Sequence, residues 1–200
     1  MLSIKKRQEY LKELGFYKGK IDGKVGGLTK RAYRDLQEKY FIRKSDIDGL
    51  YGKNTDILLQ CAYNMRGLRF FNMNEIKCHC GGKYCTGYPN IIDRNLMINI
   101  DTMREHYGVP FKVESPLRCS KYNAKVGGSS GSRHKLGKAL DISVVGYKSL
   151  EGRKELINYW INTYKESRYA YCNGYYKNKN GKSGITKVPT MGSSVHVDVK

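Results

Sequence analysis

Three short amphipathic runs open the chain and predict three helices. Ile4, Leu11 and Leu14 mark the first, Leu28, Ala32, Leu36 and Tyr40 the second, and Thr55, Leu58, Leu59 and Ala62 the third. The connections between them repeat. Ile21-Asp22-Gly23-Lys24-Val25-Gly26-Gly27-Leu28-Thr29 returns 26 residues later as Ile47-Asp48-Gly49-Leu50-Tyr51-Gly52-Lys53-Asn54-Thr55. Asp-Gly with another glycine close behind is turn chemistry, since Asp bonds back to the local backbone and Gly tolerates positive φ. Thr29 and Thr55 fall near the start of the following helix and are expected to satisfy its free amides. Residues 1–66 are therefore expected to form a small three-helix bundle.

The pattern changes in residues 67–200. Ile92, Leu96, Ile100 and Met103 keep helical spacing, as do Leu156, Tyr159, Trp160 and Tyr164 within a second run from Glu151 to Glu166. Leu140 to Val145 and Ser194 to Val199 instead alternate as strands do. The first alternation places Asp141 opposite its apolar neighbours, and the second puts His196 and Asp198 on one face. Tyr171 to Pro189, rich in Gly, Asn, Lys and Tyr, reads as a hairpin or loop. The expected class is α+β, with a small antiparallel sheet flanked by helices following the helical bundle.

Charge narrows the partners. With 37 Lys+Arg against 18 Asp+Glu, the formal net charge is +19. There are 15 basic and 8 acidic residues up to residue 66, and 22 and 10 beyond it, so both parts share the excess. A polyanionic partner follows, whether nucleic acid, anionic lipid or an acidic wall. Lys outnumbers Arg 25 to 12, which argues against a surface reading bases or phosphates with forked guanidinium groups. No run approaches the ~18–20 apolar residues of a membrane span. The opening residues lack the apolar core of a signal peptide, so synthesis in the cytoplasm and action after release are expected.

Candidate chemistry concentrates in Ser132-Arg133-His134-Lys135-Leu136-Gly137-Lys138-Ala139-Leu140-Asp141 and in Val195-His196-Val197-Asp198. Two of the four histidines lie in these stretches. Two imidazoles and one carboxylate on neighbouring strands leave a fourth position open, the ligand count of a catalytic rather than a structural zinc site.

Two resemblances organise these features. Leu11-Lys12-Glu13-Leu14-Gly15-Phe16-Tyr17, Ile21-Asp22-Gly23, Thr29, Gln37 and Asp48-Gly49-x-x-Gly52-x-x-Thr55 resemble the three-helix peptidoglycan-binding domain. That resemblance implies binding of a wall glycopeptide in a shallow groove near the turns. A generic bundle and a basic helix-turn-helix DNA binder are the competing readings. Ser-x-His-x-x-Gly-x-Ala-x-Asp with a later His-x-Asp resembles the M15 zinc peptidases, which include D-Ala-D-Ala carboxypeptidases and L-alanyl-D-glutamate endopeptidases. Ser115-Pro116-Leu117-Arg118, Asn123 and Val126-Gly127-Gly128 look like a further stretch of that family.

The M15 resemblance implies zinc held by His134, Asp141 and His196, with Arg118 on a substrate carbonyl or carboxylate. Ser132 is expected to shape the turn presenting His134 and to border the substrate. Many relatives carry a carboxylate three residues before the last ligand, or a histidine two before it; here these positions are Ser193 and Ser194. Asp198 is then either the general base or the group that orients a ligand imidazole.

Cys78, Cys80 and Cys85, joined by a fourth thiolate, fit a structural zinc; they equally fit a disulfide or reduced buried thiols. The combined expectation is a monomeric, endolysin-like hydrolase of stem-peptide amide bonds, bound to peptidoglycan and its anionic polymers. Its rivals are a wall binder retaining zinc with little activity and a nucleic-acid-binding protein.

Overall fold

The first apolar run forms α1 (Ile4–Glu13), opened by Ser3, whose hydroxyl accepts from the Lys6 amide. The computed structural model describes residues 1–200. Helices α2 (Gly27–Tyr40) and α3 (Lys53–Met65) complete the bundle. Leu11, Leu36, Leu58 and Leu59 are fully buried between them, each contributing about 1.5–3 kcal/mol of apolar burial. Leu28 departs from the helical pattern, being 62% exposed.

Two buried glutamines build the repeated turns. Gln8 Nε2 donates to Asp22 Oδ1 at 2.8 Å and to the Lys24 carbonyl at 3.0 Å, while its Oε1 accepts from the Gly23 amide at 2.9 Å. Gln37 repeats this on the second turn, donating to Asp48 Oδ1 at 2.8 Å, Leu50 O at 3.1 Å and Thr55 Oγ1 at 2.9 Å, and accepting from Gly49 N at 2.8 Å. Thr29 and Thr55 belong to these networks, donating to Lys24 O and Leu50 O. They do not cap helices, as their spacing suggests. Gly26 and Gly52 hold the N-cap positions without a side-chain bond.

The second part contains three more helices, six in the chain altogether: α4 (Arg94–Tyr107), α5 (Ser120–Lys125) and α6 (Leu150–Thr163). Its strands are β1 (Phe111–Ser115), β2 (Ala139–Val144), β3 (Ser167–Cys172), β4 (Tyr175–Asn178), β5 (Ser183–Gly184) and β6 (Val195–Val199). They make one sheet in the order β1-β2-β6-β3-β4-β5, antiparallel throughout. Alternation divides its two faces. Leu140, Ile142, Val195, Val197 and Ala170 are buried on the side that α4 and α6 cover, where Trp160 Nε1 donates to the Asp198 carbonyl at 3.3 Å. Asp141, Ser143, His196, Asp198, Tyr169 and Tyr171 line an open cleft on the other side. Tyr171 to Pro189, read as a hairpin or loop, supplies β4, β5 and the approach to that cleft.

Apolar packing continues across the end of α3. One hydrophobic core runs from Leu11 through Leu58, Ile92 and Ile100 to Val197. Polar contacts follow the same seam: Asn64 Nδ2 donates to Ile92 O and Arg94 Nη1 to Asn64 O, each at 2.8 Å. No helix is long and apolar enough to cross a membrane.

Candidate active site

Strands β2 and β6 bring the central pair together by register, with Asp141 directly opposite His196. Asp141 Oδ1 lies 2.7 Å from His196 Nδ1 and 3.3 Å from His134 Nε2. His134 arrives on a short 3-10 turn, Arg133–Leu136, which Gly137 ends at φ +70°. Glycine is required there twice over, since a Cβ would also stand 2.0 Å from the Ile91 carbonyl oxygen. The inward nitrogens of the two rings are 3.3 Å apart. All three residues are buried, and their donor atoms lie within 4.8 Å of one another.

The outward nitrogens set the chemistry of the inward ones. His134 Nδ1 lies 2.9 Å from Pro116 O, a pure acceptor, so it carries the proton and leaves the Nε2 lone pair facing inward. His196 Nε2 faces Asp198 Oδ2 at 3.5 Å, which favours its proton there. Burial lowers the pKa of His134, despite the opposing pull of Asp141. Burial also acts to lower His196, but Asp141 and Asp198 together raise it. Burial would raise Asp141; hydrogen bonds and charge from both imidazoles outweigh this and hold it well below the usual carboxylate range. A cation bound among the three would replace the proton that His196 otherwise shares with Asp141. Two imidazoles and a carboxylate, buried and convergent, fit a zinc ion.

Arg118 borders this set. Its Nη2 donates to Asp141 Oδ2 at 2.9 Å and its Nε to Ser115 Oγ at 2.8 Å, while Nη1 has no acceptor within the protein. Ser132 lines the cleft, but its hydroxyl makes no bond in the turn before His134; the backbone holds that turn, through Lys135 N to Ser132 O at 3.1 Å. This corrects the expectation that its side chain shapes the loop. Asp198, 1% exposed, accepts from Arg168 and from the Tyr169 amide. Tyr171 stacks on the His196 ring, with centroids 4.5 Å apart. The cleft above has a volume of about 800 Å³.

Arg168 and Tyr171 escape a reading of the sequence alone, and Ser115, part of the M15-like stretch, gains its place as partner of Arg118 only from the structure. Tyr171 carries a faint signal, because Tyr169 and Tyr171 flank Ala170 in a strand-like alternation. Arg168 carries none, since alternation assigns it to the core face with Ala170. An irregularity between Ser167 and Tyr169 in the pairing with β6 re-aims it towards the cleft.

A mixed sheet-and-helix domain with a buried His-Asp-His set beneath an open cleft defines a metallopeptidase, and comparison with known families agrees. Residues 69–170, half of the chain, match the Peptidase M15 family, and the chain belongs to it; M15 peptidases are zinc enzymes. Residues 3–55 match the peptidoglycan-binding domain family, making this a hydrolase directed at peptidoglycan. A comparison with curated proteins finds no match. His134, Asp141 and Arg118 fall inside the M15 match, whereas His196 and Asp198 lie beyond it and join the site through the sheet.

Proposed function

We propose that this protein hydrolyses an amide bond of the peptidoglycan stem peptide, L-alanyl-D-glutamate or D-alanyl-D-alanine, at a zinc centre held by His134, Asp141 and His196. One observation carries the reading: three buried donors converge beneath an open cleft, beside an arginine with a spare N–H group. Zinc bound there supplies an electrophile for the scissile carbonyl and acidifies water towards a pKa of ~7.

The chain's own residues do the rest. Pro116 O holds the His134 proton at Nδ1, and Asp198 holds the His196 proton at Nε2, so both rings offer lone pairs inward. Arg118 anchors Asp141 through Nη2 and presents Nη1 to a substrate carbonyl or terminal carboxylate. Ser132 offers a hydroxyl with no partner in its own turn. Asp198 acts by orienting His196 rather than as the base, because Arg168 and the Tyr169 amide occupy its oxygens.

The helical bundle brings the cleft to its substrate. Phe16, the exposed Leu28 and Arg31 border a groove beside its turns, suited to a glycopeptide. The pairing of a wall-binding bundle with a peptidase supports an endolysin-like role, exercised on the wall after release from the cytoplasm. A basic net charge favours teichoic acids and stem carboxylates as wider partners.

A second reading, a wall binder with little catalysis, is favoured only by Ser193 and Ser194 standing where relatives hold a base. Mass spectrometry of digested sacculi decides between them. New stem-peptide termini support the peptidase; intact stems under zinc-replete conditions support the binder.

A further inference from the structure

We propose that Cys78, Cys80, Cys85 and Cys119 form a second metal site, a four-thiolate zinc that fixes one wall of the cleft. Their sulfur atoms all lie within 4.8 Å of one another, with Cys80 and Cys85 3.5 Å apart. Thiolates ~2.3 Å from a shared zinc stand on the order of 3.8 Å apart at tetrahedral angles. Two disulfides would instead draw the sulfurs into tight pairs ~2.0 Å apart, and none of the six cysteines is paired in that way.

The fourth donor was hidden in sequence, because Cys119 lies 34 residues beyond Cys85. It precedes α5, where its sulfur accepts from the Tyr122 amide at 3.4 Å, while its own amide donates to Cys78 Sγ at 3.4 Å. Such N–H donors favour charged thiolates. Four sulfurs also select a softer ion than oxygen donors would, so zinc suits this cluster.

The segment that carries the first three cysteines needs a crosslink. Between Ile76 and Arg94 the chain forms no helix or strand. Within the cysteine run the backbone closes on itself at two points, Cys78 N to Gly87 O at 2.8 Å and Lys83 N to Cys80 O at 3.0 Å. An irregular stretch of this length keeps one course inside a domain when something besides regular structure ties it.

The consequence reaches the catalytic cleft. His79, between two of the cysteines, lines that cleft. Arg118, which holds Asp141, is covalently joined to Cys119. On the other side, Gly82 and Gly87 pack so closely on Ile42 of the helical bundle that a Cβ would meet it at 3.0 and 3.2 Å. A metal at the four sulfurs thus ties the entry segment to Arg118 at one end and places it against the bundle at the other.

Metal analysis and cobalt spectroscopy of the full chain test the proposal. The wild type is expected to hold two zinc ions per chain, and His134→Ala and Cys85→Ser one each. Cobalt-substituted wild type and His134→Ala are both expected to show thiolate-to-cobalt charge-transfer absorption, which Cys85→Ser loses. Should Cys85→Ser fail to fold, the spectra of the other two proteins still decide. Absence of the charge-transfer band, or isolation of the four cysteines as disulfides, would overturn the proposal. A band that persists while His134→Ala leaves zinc content unchanged would instead contradict the His-Asp-His assignment alone.

Discussion

Arg168 grips Asp198 with two nitrogens, Nε to Oδ1 at 3.1 Å and Nη2 to Oδ2 at 2.5 Å, while Oδ2 also stands 3.5 Å from His196 Nε2. A carboxylate so engaged orients an imidazole and is poorly placed to collect a proton. Asp198→Asn should therefore weaken zinc affinity by ~10–100-fold, as loss of a ligand-orienting partner does, and excess zinc should restore activity. A general base behaves otherwise: zinc affinity would hold while turnover fell by ~10²–10⁴. Chelator competition alongside turnover measurements separates the two.

Arg118 divides its guanidinium between Ser115, Asp141 and the cleft. A lysine keeps the charge but lacks the fork. Arg118→Lys should lower kcat by ~10²-fold, the scale for removing one positioned donor, with catalytic zinc retained. Steady-state kinetics on a soluble muropeptide and metal analysis check both halves.

The bundle depends on Gln37, whose amide is 1% exposed and spans the second turn. Gln37→Ala leaves the buried Gly49 amide without its acceptor, which should cost about 1–3 kcal/mol. Thermal unfolding should begin at lower temperature and less protein should pellet with sacculi. Gln8→Ala should act in the same direction through the first turn.

Much of this architecture is legible in the sequence because local chemistry dictates it. The Asp-Gly repeats mark the two turns, and alternation around Asp141 and His196 marks two strands of the site. Their direct pairing is not legible, since register depends on the whole sheet. The same limit hides Arg168, turned by an irregular pairing, and Cys119, joined to its cluster only by folding. Thr29 and Thr55 illustrate another limit: their positions resemble caps, but the buried glutamines compete successfully for their hydroxyls.

Salt should separate attraction from chemistry. Raising ionic strength shortens the ~8–10 Å screening length near physiological salt, so sacculus binding by this +19 chain should weaken. Cleavage of a small soluble muropeptide should change little over the same range. Pelleting and turnover assays across one salt series measure the difference.

The most direct test of the central claim is zinc add-back to chelator-stripped protein on purified sacculi, following new amino groups and reading the released termini. The account predicts no release without metal, recovery on adding zinc, new ends within the stem peptide, and no recovery for His134→Ala. Release that persists after metal removal, or new reducing sugar ends with intact stems, would contradict it.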